Sequence, residues 1–528
     1  MSATVSQQPD YDVFIIGGGV NGCGIARDAA GRGLRVGLAE MHDLASGTSS
    51  ASTKLFHGGL RYLEYFEFRL VREALIEREV LLNAMPHISW PMRFVLPINR
   101  DMRFEASTPA SKILNTVMPW TKGRRPKSLI RFGLFLYDHI GGRKILPPTA
   151  TLDLSADVAG QPLRSKYKQA FEYSDCWVED SRLVALNARD AAMRGADIMV
   201  NTRVQSAVRE NGLWVITLQG QGDVGPETVT AKVLVNAAGP WVDDVNQSTT
   251  SQNRPKNIRL VRGSHIVTRK LFDHDKAYFF QGTDGRIIFA IPCETDFTLI
   301  GTTDFDHVSP DDAPVCTDAE AAYLCEFANT YLAKPVTSDD IVWSYSGVRA
   351  LFNDGETSAT ATTREYVVRV DETDGVPLVN IFGGKITTYR KLAEAAMAAM
   401  APYIPSLGPE WTATAKVPGG DFDVDGADAL KAQLMHDFPF LDDRFAWRLI
   451  RAYGTDAAKI LAGAASRKDL GPHFGTNLYA AEVKWLMDHE FASRADDVVW
   501  RRSKLGLRMT KAEIAALDVW MQQQLSAG

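Results

Sequence analysis

An unbroken pattern between residues 12 and 40 constrains how this chain can begin to fold. Asp12-Val13-Phe14-Ile15-Ile16 reads as an apolar strand that runs straight into Gly17-x-Gly19-x-x-Gly22. Ala26, Gly33, Val36 and Glu40 come next at the spacing of a strand–turn–helix–strand unit. Gly17 permits the tight turn, Gly19 lets the backbone approach a pyrophosphate, and Gly22 lets helix and strand pack closely. A helix from Val20 to Arg32 would aim its unpaired N–H groups and positive dipole end at that pyrophosphate. Gly33 ends the helix, and Arg35 to Ala39 form the second strand. Glu40 at the strand tip can accept hydrogen bonds from a ribose diol, and its charge would repel a 2′-phosphate. An ordinary β-α-β crossover could share some of these letters, but the complete context reads as a dinucleotide-binding unit.

At 528 residues the chain exceeds one hydrophobic core, so two or three domains are expected. With 45% hydrophobic residues and a net charge of −6, it reads as globular and is unsuited to general nucleic-acid binding. The five cysteines, Cys23, Cys176, Cys293, Cys316 and Cys325, form no C-x-x-C pair. That favours reduced thiols in a cytosol over a disulfide framework or a zinc site. The ten histidines show no paired ligand spacing, so no metal site is expected. Met1 to Asp10 has no basic region followed by an apolar stretch, so no secretory signal is expected, and no run is long enough to span a membrane. One segment departs from the acidic average. Residues 111–145 hold Lys112, Lys122, Arg124, Arg125, Lys127, Arg131, Arg143 and Lys144 against the single acid Asp138, interleaved with Trp120, Phe132, Phe135 and Tyr137. Such a segment suits docking on an anionic membrane surface, or equally a basic surface loop beside a buried element.

Residues 48–56 are small and hydroxyl-rich, and His57-Gly58-Gly59-Leu60-Arg61-Tyr62 leads into a helical stretch that runs to about Asn83. Residues 86–174 read as an inserted region, and Asp180 to Gly195 as a helix. Strands are expected over Asp197–Thr202, Val204–Glu210, Leu213–Leu218, Val233–Asn236, Arg259–Thr268, Ile287–Ile291 and Phe297–Ile300. A second G-x-G-x-x-G, Gly220 to Gly225, is succeeded by Pro226 and an alternating pattern, so it reads as a hairpin loop. Only one genuine dinucleotide fingerprint remains. Val376–Phe382, Gly383-Gly384-Lys385 and a helix from near Thr387 repeat the strand–turn–helix pattern. The expected units are residues 1–90, 175–255 and 345–400 for a Rossmann-like α/β domain, and 91–174 and 256–344 for an antiparallel-sheet domain. A linker over 401–425 and a C-terminal α-helical domain from 426 complete the chain. Asp421-x-Asp423-x-Asp425-Gly426 starts like a calcium loop, but Ala432 stands where the bidentate Glu belongs, so acidic capping of the next helix is expected instead.

With these motifs placed, the chain resembles the flavin-dependent, quinone-linked "aerobic" glycerol-3-phosphate dehydrogenases of the D-amino-acid-oxidase-like flavoprotein group. The resemblance rests on Ile16 to Gly22, Thr48 to Lys54, His57 to Glu64, Phe171 to Trp177, Asn236 to Trp241 and Gly263-Ser264-His265. It continues through Gly301 to Asp304, Tyr345 to Arg349 and Phe382 to Leu392. It covers nearly the whole chain, with Asn99 to Ser128 the least familiar part and a candidate insertion.

The resemblance implies noncovalent FAD, with His57 a conceivable covalent attachment point only by analogy with related oxidases. The implied cofactor set is Gly17, Gly18, Gly19, Asn21, Gly22, Glu40, Thr48, Ser49, Ser50, Ser52, His57, Gly58, Gly59, Ala238, Gly239, Gly384, Lys385, Ile386 and Thr387. A helix N-terminus near Thr387 would stabilise negative charge on a reduced flavin ring. The implied substrate, sn-glycerol 3-phosphate, carries about two negative charges at neutral pH. Holding it in a dry site requires fixed cations, for which the motifs offer Arg61, Arg349 and Lys385, with Arg364 a further candidate and Tyr62 beside them. His265 is the candidate acceptor of the alcohol proton, a satisfied strand histidine being the alternative, and Arg349 could polarise the C2 oxygen. The electrons would pass to ubiquinone or another quinone from a chain held peripherally on the cytoplasmic face of the cell membrane. A peroxide-producing oxidase and a noncatalytic FAD-binding scaffold are the rivals. The oligomeric state stays open, a homodimer included.

Overall fold

A computed structural model describes residues 8–99, 102, 108–111, 116, 126–220, 225–250, 257–282, 285–353 and 365–527. The opening unit forms as its glycine spacing demands: strand β1 (Tyr11–Ile16), helix α1 (Val20–Gly31) and strand β2 (Val36–Ala39). Gly22 is required by close approach, because a Cβ there would stand 1.9 Å from the Gly17 carbonyl oxygen. β1 sits between two parallel neighbours, β2 and the Glu227–Asn236 strand, pairing Ile16 with Ala39 on one side and Asn236 on the other. Leu378–Gly383 extends the parallel run beyond Glu227–Asn236, and Asp197–Met199 extends it beyond β2.

Helices cover one face of this first sheet. Ile25, Ala26 and Ala29 of α1 pack with Val184, Ala188 and Ala191 of the Asp180–Met193 helix, and with Ala393, Ala396 and Met397 of the Tyr389–Met400 helix. The other face is closed by the Arg203–Glu210 and Leu213–Gln219 strands, whose Trp214, Ile216 and Leu218 bury Phe14 and Leu234. Leu213–Gln219 pairs antiparallel with the first half of Glu227–Asn236, so the second glycine triplet does join a hairpin; residues 221–224 within it lie outside the described residues.

The second sheet is built mainly from antiparallel pairs, with Ile258–Arg269 zipped to Ile341–Phe352 along nearly its whole length. It differs from expectation in one pairing, since Ala277–Gln281 lies parallel to Ser89–Pro97. It also takes in Leu55–Phe56 and runs to Phe352, so the expected seams at 175 and 345 cut through single strands, Gln169–Val178 and Ile341–Phe352. Strand pairing, which ignores sequence distance, decides that membership.

From Ala427 onward a separate core of Leu449, Ile450, Val483, Leu486, Val498 and Leu517 holds the C-terminal helices together. No side chain caps the Ala427–Asp437 helix: its N-cap is Gly426, so Asp421, Asp423 and Asp425 do not perform the expected capping, and Asp428 supplies the acid of the first turn. The C-terminal unit is tied to the first by buried charge. Asp43, in the loop after β2, accepts from Arg502 at 2.7 Å and Arg501 at 2.5 Å, with Arg502 fully buried. The Arg182 guanidinium pairs with Glu490 across the same junction.

Removing one partner of such a pair strands a buried charge. Asp43→Ala should therefore cost about 3–5 kcal/mol. A lowered urea midpoint is the expected readout, and an unchanged midpoint would remove this pair from the docking of the C-terminal unit.

Candidate active site

The carboxyl ends of β1, β2 and Glu227–Asn236 face the Ile258–Arg269 and Ile341–Phe352 strands across a cavity of about 490 Å³. A crevice at the carboxyl ends of parallel strands is where such sheets take ligands, because loops and helix N-termini converge there. α1 begins at Gly19 with no side-chain cap, leaving its first turn open to an anion. Only Val20 is served from a distance, its N–H donating to Ser49 Oγ at 3.0 Å. Glu40 is gripped at the tip of β2, accepting from the Gly18 N–H at 2.7 Å and the His42 N–H at 2.9 Å. Burial pushes its carboxyl above the ordinary value despite those two donors.

Of the residues expected to hold a cofactor, Gly17, Gly19, Asn21, Glu40, Thr48, Ser49, Ser52, His57, Ala238, Gly239, Gly384, Lys385 and Ile386 line this cavity. The others stand behind it. Gly18 and Gly22 shape the turn, while the Gly58 N–H donates to the Tyr137 hydroxyl at 2.7 Å. Gly59 is left-handed at φ 74° against the Tyr62 ring, and Thr387 is buried, its Oγ1 accepting from the His57 N–H at 3.2 Å. Ser50 turns its carbonyl to Lys54. The Asn21 Oδ1 is buried without a hydrogen-bond partner among the described residues, an acceptor suited to a donor on a bound molecule. Uncapped helix start, ribose-ready carboxylate and orphaned acceptor together fit FAD.

The substrate-side candidates separate. Arg349 and Lys385 line the cavity with Tyr62, and Lys385 Nζ lies 3.6 Å over the Tyr62 ring centroid. Arg349 donates to Asp304 at 2.5 Å and to Thr302 Oγ1 at 3.1 Å. A Cβ at residue 263 would come within 2.5 Å of Arg349 Nη2, so Gly263 is the hollow in which that guanidinium lies. Arg61 is not among the cavity-lining residues, and Arg364 lies outside the described residues.

His265 does not reach the cavity surface either. It is 1% exposed, flat against Tyr345 at 4.8 Å, with its Nε2 2.9 Å from Thr53 Oγ1, and Thr53 is the residue that lines the cavity. Burial, then Arg349 and Lys54, hold its imidazole well below the ordinary value, so it is neutral near pH 7.

Sequence reasoning missed Thr53 and the pair beneath it. Lys54 Nζ donates to Asp180 Oδ1 at 2.6 Å with both side chains buried, and Asp180 Oδ2 accepts from the Ser52 N–H and hydroxyl at 3.1 and 2.8 Å. The signal was the charged Lys54 ending a run of small hydroxyl residues.

Comparison with known proteins bears on the family, the fold and the cofactor. Residues 12–390 match the DAO family, FAD dependent oxidoreductase, and residues 411–524 match the C-terminal domain of alpha-glycerophosphate oxidase. The chain is 47% identical to the D-erythritol 1-phosphate dehydrogenase of Brucella abortus, over 96% of this chain and 97% of that protein. It is 44% identical to the aerobic glycerol-3-phosphate dehydrogenase of Escherichia coli, over 98% and 99%. Among solved structures, the glycerol-3-phosphate dehydrogenase of Bacillus halodurans complexed with FAD aligns over 99% of this chain and 91% of that one, with TM-score 0.73 and 27% identity.

A histidine kept neutral by folding makes the native state acid-sensitive. The unfolded chain takes up the proton first as pH falls below about 6.5, so stability present above that pH is lost below it, by up to about 1.4 kcal/mol per pH unit. His265→Gln should flatten the fall of Tm between about pH 6.5 and 5; an unchanged slope would mean that His265 is protonated in the fold.

Proposed function

The chain belongs to the DAO family of FAD-dependent oxidoreductases, and from that premise we propose that it oxidises sn-glycerol 3-phosphate to dihydroxyacetone phosphate. FAD, when bound, supplies the hydride acceptor. Arg349 and Lys385, two cations on the lining of a cavity that otherwise suits a dinucleotide, carry this reading. A phosphate monoester entering a site shielded from water needs such charges, and a guanidinium can meet two of its oxygens at once. Tyr62 steadies Lys385 through its ring face, and Arg61 and Arg364 are further phosphate partners in this proposal. The Thr53 hydroxyl, oriented by His265 Nε2, accepts the hydrogen bond of the alcohol at C2 and passes its proton inward. A neutral imidazole suits that task, since it holds a free lone pair until the proton arrives.

A second reading comes from the Brucella relative named for D-erythritol 1-phosphate. That compound also carries a phosphooxymethyl group beside a secondary alcohol, so the same cations and the same hydroxyl relay would serve it, with one more CHOH unit to accommodate.

The quinone route and membrane attachment are part of the proposal. No helix among the described residues is long and apolar enough to cross a membrane. The Lys127–His139 helix instead turns Leu129, Phe132 and Phe135 outward along one face, with Phe132 55% and Phe135 48% exposed. Phe66 and Phe68, also exposed and stacked on one another, belong to the segment leading into the Phe68–Ala84 helix. Lys127, Arg131, Arg143 and Lys144 lie in the same stretch, while Trp120 and the basic residues 112, 122, 124 and 125 lie outside the described residues. Exposed aromatics in a stretch that also carries cations favour the surface of an anionic bilayer. The five free cysteines suit its cytoplasmic side.

Anaerobic mixing of the yellow holoprotein with glycerol 3-phosphate should bleach the flavin, and comparing its rate with that for D-erythritol 1-phosphate identifies the preferred substrate. No bleaching by either compound sinks the reading, and stoichiometric peroxide in air with no reduction of a ubiquinone analogue sinks the quinone route. Arg349→Ala should keep FAD yet lower kcat/KM by about 100-fold, the loss of a charged contact; unchanged kinetics would remove Arg349 from the site. Replacing Phe132 and Phe135 together by Ser should weaken binding to anionic vesicles at least about tenfold without slowing flavin reduction. Undiminished vesicle binding would rule this face out.

A further inference from the structure

A second cavity, of about 460 Å³, opens where the C-terminal helices meet the second sheet and the start of the Asp180–Met193 helix. Arginines crowd its wall, and most are matched: Arg182 by Glu490, Arg448 by Glu482, Arg502 by Asp43 and Arg508 by Glu294. Two mostly buried cations lack a carboxylate at ion-pairing distance among the described residues. Arg451 is wedged between Trp90 and Trp447, 4.5 Å from each ring centroid, and donates to the Pro86 carbonyl at 3.0 Å. Lys504 donates to Ser181 Oγ at 3.4 Å and to the Trp500 carbonyl.

Buried positive charge that no carboxylate pairs at close range is costly, and here it borders a space large enough for a small molecule, with the Glu179 carboxyl on the same wall. Burial brings the Arg451 guanidinium down to about 10, with Asp428 opposing from a distance. Burial and then Lys54 bring Lys504 down to about 8, while Asp180, Glu179 and Glu294 oppose from beyond pairing distance. We propose that this cavity binds a small phosphate monoester, separately from the cofactor cavity, with Arg451 and Lys504 as its charge partners. A dianion satisfies two cations at once, the planar guanidinium by paired hydrogen bonds and the ammonium as a point charge. Trp90, stacked on Trp177 at 5.8 Å, offers the ester's carbon skeleton an apolar wall.

A chain of contacts runs from this cavity to the flavin side. Ser181, which Lys504 contacts, gives its N–H to Asp180 Oδ1 at 2.9 Å, and Asp180 holds Ser52 on the cofactor cavity.

Equilibrium dialysis of the holoenzyme against radiolabelled inorganic phosphate tests this. Two sites per chain are expected, one of which Arg349→Ala removes and the other of which Arg451→Met or Lys504→Gln weakens at least about tenfold. Arg451→Met keeps an apolar chain between the Trp90 and Trp447 rings, so it serves alone if Lys504→Gln does not fold. A single site abolished by Arg349→Ala, or two sites surviving in Arg451→Met, overturns the proposal. Loss of the flavin-side site alone would count against the substrate assignment and leave this cavity standing.

Discussion

One buried charge pair underlies the site. Lys54 and Asp180 are both withdrawn from water, and each would be intolerable alone. Burial pulls the Lys54 ammonium down, and the Asp180 carboxylate more than restores it. Burial likewise pushes Asp180 up, yet Lys54 and Lys504 bring it below the ordinary carboxylate range. Both therefore stay charged, and geometry is set by charge. Asp180 is the first residue of the helix behind the cavity, so it fixes Ser52 and the Thr48–Lys54 run against that helix. Thr53, the next residue, is thereby presented to the cavity with His265 at its back. Burial, then Arg349 and last the positive side of this pair keep His265 neutral.

The second constraint is where the two sheets meet. A parallel sheet exposes loops and helix N-termini at its carboxyl ends, and the second sheet lays the Ile341–Phe352 strand across them. Residues as distant as Gly17, Glu40, Gly263, Arg349 and Lys385 consequently share one cavity. The same junction brings Arg501 and Arg502 onto Asp43, so the C-terminal helices are anchored next to the loop after β2.

The first β-α-β unit, the single dinucleotide fingerprint and the late strand–turn–helix at Leu378–Met400 were legible from spacing alone, because close backbone approach leaves glycine no substitute. The misleading second glycine triplet was legible too, since Val229, Ala231 and Val233 beyond it alternate as a strand does and leave no helix for a phosphate to cap. Other features were not. Asp421 to Asp425 look like helix-capping acids, yet a cap depends on where the first turn starts, and Gly426 holds that position. His265 stands in a motif and shares a strand face with cavity-lining Gly263, yet Thr53 lines the cavity in its place, with the imidazole held behind it against the flat Tyr345 ring. Arg61 and Arg349 are equal in letters and unequal in place.

From the amino-acid order alone came the cofactor class, the residue types available to hold a phosphate and the helical character of the last hundred or so residues, since these arise from local spacing and backbone sterics. Tertiary structure alone decided which of those side chains meet. Pairing between strands and the compensation of buried charge join positions hundreds of residues apart, and no local pattern encodes them. Thus Thr53 came forward, His265 went behind it, and Arg451 and Lys504 were left under cover with no carboxylate at pairing distance among the described residues.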